Sequence, residues 1–186
     1  MVLEAIGFLV GVIYLWWEYN ADSKVWLASI VMPAISMWIY LDKGLYADFA
    51  INIYYLAIAV YGYIAWTFNL KRRKRSELQV RRVPGRLWPF ISIALCGVWY
   101  AIYFVLTRFT DSNVPVWDAF TTAGSIVAMW MLARKFAQQW LLWLLVDAVC
   151  VALYIYKGIY LYAILYAVYT VIAWLGYRKW LSMIPA

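Results

Sequence analysis

The 186-residue sequence has no histidine, two cysteines and few charged residues. Without histidine it lacks the side chain that most often serves as general base, proton shuttle or metal ligand near neutral pH. Cys96 and Cys150 lie in separate apolar stretches without CxxC spacing, so we interpret them as helix-packing residues. No nucleophile–base pair, metal-ligand spacing or phosphate-binding loop is evident. We therefore expect no enzyme activity, no metal and no cofactor.

Apolar and aromatic residues are abundant instead. Hydrophobic residues make up 68% of the chain and charged residues 13%. In soluble domains roughly half of the residues are hydrophobic and roughly a quarter are charged. The 13 tryptophans and 17 tyrosines suit lipid–water interfaces, although aromatic rings can also line a binding cavity. The apolar runs do not alternate, which favours helices over membrane β-strands. The composition thus indicates an all-α integral membrane protein in a lipid bilayer.

Seven apolar stretches approach the roughly 20 residues that a membrane-spanning helix needs. They are Leu3–Tyr19, Trp26–Leu41, Leu45–Leu70, Trp88–Thr107, Val116–Ala133, Gln139–Tyr156 and Ile159–Trp180. The first carries Glu4 and lacks a preceding basic region, so we predict a retained helix rather than a cleaved signal peptide.

The net charge of +7 is unevenly distributed, because half of the 16 Lys and Arg residues fall between Lys71 and Arg86. Such a run can indicate nucleic-acid binding, but between two apolar stretches a cytoplasmic loop is the better interpretation. If seven helices cross the membrane in alternating directions, 13 of the 16 basic residues lie on one side of it. Because positive residues stay preferentially in the cytoplasm, the amino terminus is predicted outside and the carboxyl terminus inside.

The two halves of the chain match at a constant offset of 114 residues. Shared composition could produce chance identities, but the turn Lys-Gly-apolar-Tyr and the closing Gly-Tyr-x-x-Trp both match at this one offset. The matched positions include Trp26 with Trp140, Tyr40 with Tyr154, Lys43 with Lys157, Gly44 with Gly158, Tyr55 with Tyr169, Gly62 with Gly176 and Trp66 with Trp180. We therefore predict an internal repeat.

The repeat predicts a division of the chain into a first three-helix repeat at 1–70, a basic cytoplasmic loop at 71–87, a connector helix at 88–107 and a second three-helix repeat at 108–186. One connector helix returns the chain to its starting side, so the two repeats are parallel (3+1+3). Such repeats are typical of transporters, which bind substrate between their halves near the bilayer midplane.

Asp147 is predicted near the middle of the sixth helix, where a carboxylate is costly and is usually functional. The alternative is a protonated or hydrogen-bonded structural carboxylate. Trp140, Trp143 and Asp147 share one helical face through i, i+3, i+7 spacing, and Tyr154 continues it. Indole rings beside an anion suit a flat, cationic, aromatic ligand. Both tryptophans could instead belong to the interfacial belt.

The repeat places Pro33 at the position equivalent to Asp147. A proline inside a helix frees a backbone carbonyl one turn earlier, here that of Ser29, so Pro33 is a predicted hinge. Asn52 and Asp48, in the third helix, are further polar residues at membrane depth and second-rank candidates for substrate binding. Both could instead be polar packing residues.

These segments resemble the PnuC family of vitamin transporters. In the second half the resemblance lies in Trp140-Leu-Leu-Trp143-Leu-Leu-Val-Asp147, preceded by Ala133-Arg134-Lys135 and followed by Tyr156-Lys157-Gly158-Ile159-Tyr160. It extends to Gly44-Leu45-Tyr46-Ala47, Tyr61-Gly62-Tyr63-x-x-Trp66 and Val116-Trp117-Asp118-Ala119. It implies a seven-helix core similar to the SWEET sugar transporters, in the bacterial inner membrane. It also implies facilitated diffusion of nicotinamide riboside, thiamine or riboflavin, with a cytoplasmic kinase that traps the vitamin.

The chain departs from the family pattern at the proposed site. Nicotinamide riboside members carry Asn where this chain has Asp147, and tend to carry Gln where it has Asn52. A carboxylate fits a permanent cation, and both nicotinamide riboside and thiamine carry one. Because these departures cluster at the proposed site, they favour thiamine, and nicotinamide riboside stays open as the alternative. Riboflavin uptake, a binding subunit that does not transport alone, and a homo-oligomer stay open as alternatives.

Overall fold

The computed structural model describes residues 13–42, 46–67, 78–110 and 113–184, without the side chains at 39, 40, 46–48 and 50. The described residues form helices joined by short loops. We number these helices α1 at 13–19, α2 at Val25–Asp42, α3 at Tyr46–Thr67, α4 at Trp88–Phe109, α5 at Pro115–Ala133, α6 at Gln139–Tyr156 and α7 at Tyr160–Ser182. This confirms the predicted all-α fold with seven helices. Glu4, in the predicted first helix, lies outside the described residues. So does Lys43-Gly44, the first of the two matching Lys-Gly turns.

Four of the described helices are long and apolar enough to cross a membrane: α4 with its preceding turn from Gly85, α5, α6 and α7. Large apolar side chains project from them into the surroundings, such as Ile93 at 70% and Leu161 at 77% exposure. Water would penalise such surfaces by roughly 25 cal/mol for each Å² of apolar area, whereas lipid does not. The helix surfaces therefore fit a bilayer.

Local sequence signals account for the helix ends. Proline occupies the first turn of α4 and the first position of α5, where its missing N–H costs no helical hydrogen bond. Asp118 follows in the first turn of α5, where a carboxylate is favoured, and it forms an ion pair with Lys157 at 3.3 Å. After α6 the chain turns at Gly158, whose φ of +72° is a left-handed conformation that glycine adopts without steric cost.

The chain forms two compact units. Of the described residues, those up to Val80 together with Ala133–Lys135 form the first unit, and those from Arg81 to Leu132 and from Phe136 onward form the second. In the first unit α2 packs against α3, and in the second α6 packs against α7. These two helix pairs are equivalent by the offset of the predicted repeat.

Equivalent residues make equivalent contacts within each unit. In the first, the Trp26 ring packs edge-on against Trp66 with centroids 5.4 Å apart, and lies directly over Gly62. In the second, Trp140 packs edge-on against Trp180 at 6.0 Å and lies over Gly176. All four indoles are almost completely buried. Each glycine lets a helix approach a tryptophan ring that a Cβ atom would exclude.

The described end of the predicted basic loop packs inside the second unit. The Ala137 N–H donates to the Arg81 carbonyl at 2.9 Å, and the Val83 N–H donates to Gln138 Oε1 at 2.9 Å. The Arg81 guanidinium lies 4.9 Å from the Phe136 ring centroid. Beneath them is an apolar cluster formed by Val83, Ile91, Val127, Met131 and Phe136. These contacts fix the loop that precedes α6.

Candidate functional site

The candidate site lies along the seam where α6 faces α7 in the second unit. On α6 the residues Trp143, Asp147, Cys150 and Tyr154 follow one another at three- and four-residue spacing, which places them on one helical face. On α7 the residues Tyr162, Tyr166 and Tyr169 do the same, and Ala173, Gly176 and Trp180 continue that face. We call the contact between these two faces the α6–α7 seam.

Asp147 lies at the middle of the seam and is 7% exposed. It is close enough to Cys150, Tyr166 and Tyr169 to interact with them electrostatically. None of the described Lys or Arg side chains pairs with it. The neighbouring Val146 packs where α5 approaches closely, because its Cγ2 lies 2.5 Å from the position a Cβ on Gly124 would take. A buried carboxylate without a basic partner favours binding of an external cation.

Trp140 closes one end of the seam and is only 2% exposed between Gly176 and Trp180. Trp143, one turn from Asp147, is only partly buried as a residue. The indole Nε1 atoms of both tryptophans are buried and have no hydrogen-bond partner among the described residues. Since a buried indole N–H usually has a partner, these two donors are available to an acceptor that enters the seam.

Stacked tyrosine rings occupy the other end of the seam. The Tyr154 ring lies between those of Tyr162 and Tyr166, with centroids 5.3 Å and 5.2 Å away and interplanar angles of 28° and 22°. Tyr166 in turn meets Tyr169 edge-on at 5.7 Å. We call Tyr162, Tyr154 and Tyr166 the tyrosine stack. It places the predicted residue Tyr154 beside the same α7 face that borders Asp147.

The remaining predicted residues belong to the first unit. Pro33 lies buried inside α2, and the Ser29 hydroxyl on the preceding turn donates to the Val25 carbonyl at 2.9 Å. Asn52 lies on α3 and is partly buried. Asp48 also lies on α3, but its side chain is outside the described residues.

Two tyrosines of the seam, Tyr162 and Tyr166, are not predicted from the sequence as site residues. Tyrosine is common in this chain, and placing it near a membrane interface costs little free energy. Neither residue is therefore as conspicuous in the sequence as a charged residue in an apolar stretch. The internal repeat could have indicated both residues. The offset of 114 residues relates Asp48 to Tyr162 and Asn52 to Tyr166. The candidates named in the first repeat therefore point to the seam face of α7 in the second.

The chain is similar to membrane transporters of known families. A family model described as nicotinamide mononucleotide transporter matches residues 1–182. The nicotinamide riboside transporter PnuC of Escherichia coli strain K12 is 22% identical over 97% of this chain and 85% of its own length. The riboflavin/roseoflavin transporter RibM of Streptomyces davaonensis is 28% identical over 67% of this chain and 59% of its own length.

A solved structure has the same fold. The crystal structure of the vitamin B3 transporter PnuC matches with a TM-score of 0.67 and 19% sequence identity, covering 94% of this chain and 78% of that chain. At this identity the match establishes the fold. Together with the family match it confirms the resemblance that the motifs around Trp140 and Asp147 indicated.

Proposed function

Because the chain belongs to the nicotinamide mononucleotide transporter family, and so is a multi-pass membrane transporter rather than an enzyme, we propose that it carries a cationic aromatic vitamin by facilitated diffusion. The main observation behind the proposal is the environment of Asp147. Asp147 is 7% exposed as a residue, lies on the seam beside tyrosine rings, and has no basic partner among the described residues. A ligand with a positively charged ring would supply that partner and stack on the neighbouring aromatic faces.

Nicotinamide riboside is the leading candidate substrate. Relatives from Escherichia coli and Neisseria mucosa carry its name, and its pyridinium ring combines a positive charge with a flat aromatic surface. Thiamine is the second candidate, because a carboxylate at position 147 suits any permanent cation. Riboflavin, which is neutral, would gain nothing from the charge of Asp147, although one relative is named for it.

We propose that Asp147, Trp143, Trp140 and Tyr154 contribute the α6 side of the substrate-binding site. Trp140, held between Gly176 and Trp180, would limit the depth to which the ligand enters. Asn52 and Asp48 are proposed contributors from α3. Pro33 is the proposed hinge of α2, since a proline inside a helix leaves one backbone hydrogen bond unmade.

The primary test uses purified protein in two assays. Quenching of the 13 tryptophans measures binding of nicotinamide riboside, thiamine and riboflavin, and liposome flux measures transport of those that bind. We expect saturable binding and passive flux of at least one cationic vitamin. Binding without flux would identify a binding subunit instead, and failure to bind any of the three vitamins would remove the proposal.

Passive flux alone cannot concentrate a vitamin, so we propose that a cytoplasmic kinase traps it as a phosphate ester. Cells should then accumulate phosphorylated vitamin above the external concentration, whereas liposomes should only equilibrate.

Self-association is a separate proposal, and a mass measurement in detergent tests it.

The proposed topology has the amino terminus outside. Two single-cysteine variants test it in a background with Cys96 and Cys150 replaced by serine. Asn113→Cys, in the α4–α5 loop, should react with an impermeant thiol reagent on intact cells. Lys24→Cys, whose native side chain is 62% exposed, should react only after permeabilisation. The reverse pattern would invert the topology.

A further inference from the structure

The tyrosine stack forms a graded approach to Asp147. Its outermost ring, Tyr162, is 51% exposed, Tyr154 and Tyr166 are partly buried, and Asp147 is 7% exposed. The rings therefore become less accessible in the direction of the carboxylate. Tyr154 stacks with two neighbouring rings, whereas Tyr162 stacks with Tyr154 alone among the rings of the stack.

The chemistry of the stack suits the proposed ligand. A cation that leaves water for a buried carboxylate loses its hydration before it gains its ion pair. Aromatic faces lower that cost, because the ring quadrupole attracts the cation while the ring stacks on a flat ligand. The Tyr154 and Tyr166 rings stack on each other with centroids 5.2 Å apart, so a flat aromatic cation meets surfaces of its own shape at this end of the seam.

The internal repeat supports the same positions independently. Tyr162 and Tyr166 are equivalent to Asp48 and Asn52, so the corresponding face of α3 carries polar groups at these two positions. Each of the four side chains therefore carries a polar group, which for the two tyrosines is the phenolic hydroxyl.

We propose that the tyrosine stack is a second binding site for the aromatic cation, occupied on the way to Asp147, with the exposed face of Tyr162 as its first contact. This inference rests on the proposed function. A site on the way to another changes how fast the second fills and empties. It leaves the affinity of the second site unchanged, because that affinity depends only on the free and the fully bound states.

The test compares Tyr162→Leu, Tyr162→Phe and the control Tyr160→Leu. Leucine keeps an apolar side chain but removes the aromatic face, phenylalanine keeps the face, and Tyr160 is 65% exposed at the same end of α7, outside the stack. Stopped-flow tryptophan fluorescence with nicotinamide riboside and with thiamine gives the association and dissociation rates, and equilibrium quenching gives Kd. In Tyr162→Leu we expect both rates to fall by about three- to tenfold at constant Kd, in line with the loss of one cation–π contact. Tyr162→Phe and Tyr160→Leu should match the wild type.

Unchanged rates in Tyr162→Leu would overturn the inference, as would equal losses in Tyr160→Leu or a loss in Tyr162→Phe. A weaker Kd in Tyr162→Leu at an unchanged association rate would make Tyr162 part of the Asp147 site and remove the second site. Wild-type protein that binds neither cation would instead defeat the proposed function itself.

Discussion

Lys135 donates a hydrogen bond from Nζ to the carbonyl oxygen of Ala21 at 3.2 Å, and the two residues are 114 positions apart. Both have left-handed backbones, with φ of 53° at Ala21 and 51° at Lys135. The same unusual turn thus ends α1 and α5, at equivalent positions of the repeat. Lys135 is 5% exposed, and its ammonium lies 4.1 Å from the Trp66 ring centroid. Burial of this charge is offset by the carbonyl and the ring.

Ala21→Gly should stabilise the protein. A left-handed conformation costs a residue with a Cβ about 1–2 kcal/mol, and the extra freedom of glycine in the unfolded chain returns about 0.5–1 kcal/mol of that. We expect a net gain of up to about 1.5 kcal/mol, measured as a higher thermal midpoint in detergent. Ala28→Gly, inside α2, is the matched control and should lower the midpoint, because its backbone is right-handed. A lower midpoint in both variants would mean that the turn at Ala21 stores no strain.

Gly62→Ala and Gly176→Ala should both destabilise the protein. A Cβ on Gly176 would lie 2.6 Å from the Trp140 ring, and one on Gly62 would overlap the Trp26 ring at least as closely. Overpacking of this kind costs typically about 1–3 kcal/mol. Gly97→Ala, in α4, is the control, because nothing lies within 4 Å of its added Cβ. Thermal midpoints that fall equally in all three variants would rule out a specific tryptophan–glycine contact.

The positions of the helices could be predicted from the sequence, because a helix that crosses the bilayer needs an apolar run of sufficient length. The predicted Gln139–Tyr156 agrees with α6 at both ends, and the other described ends differ by at most three residues. The offset also predicted that Trp26 and Trp140 are equivalent. It could not predict that Trp140 packs over Gly176, because that contact depends on how two helices are rotated against each other.

The candidate site was predictable only in part. Asp147 stood out because a charge inside a bilayer is costly, and the structure places it on a seam of two helices. The tyrosine stack was not predicted, because tyrosine is unremarkable in a chain with 17 of them. Only the three-dimensional arrangement shows that Tyr154 lies between two rings of α7.

Pro33→Ala should stabilise α2 and slow transport. Alanine restores the backbone hydrogen bond to the Ser29 carbonyl, and proline in a helix interior is about 3 kcal/mol less favourable than alanine. If α2 bends at Pro33 during transport, the straighter helix should lower the maximal flux while the equilibrium Kd stays constant. Ser29→Ala removes the hydroxyl that donates to the Val25 carbonyl but leaves Pro33 in place, so it serves as the control. Unchanged flux in a stabilised Pro33→Ala protein would argue against a hinge.

Asp147→Asn should weaken binding of cationic vitamins by roughly tenfold, because an amide keeps the size of the carboxylate but loses the negative charge that attracts the positive ring of the ligand. Riboflavin, which carries no positive charge, should bind no worse to the variant. Asp118→Asn is the matched control, since Asp118 is paired with Lys157 and about one third exposed. It should leave the affinity for cations unchanged. Equal affinity of Asp147→Asn and wild type for both cations would remove Asp147 from the binding site, and the proposal of a cationic substrate would lose its main support.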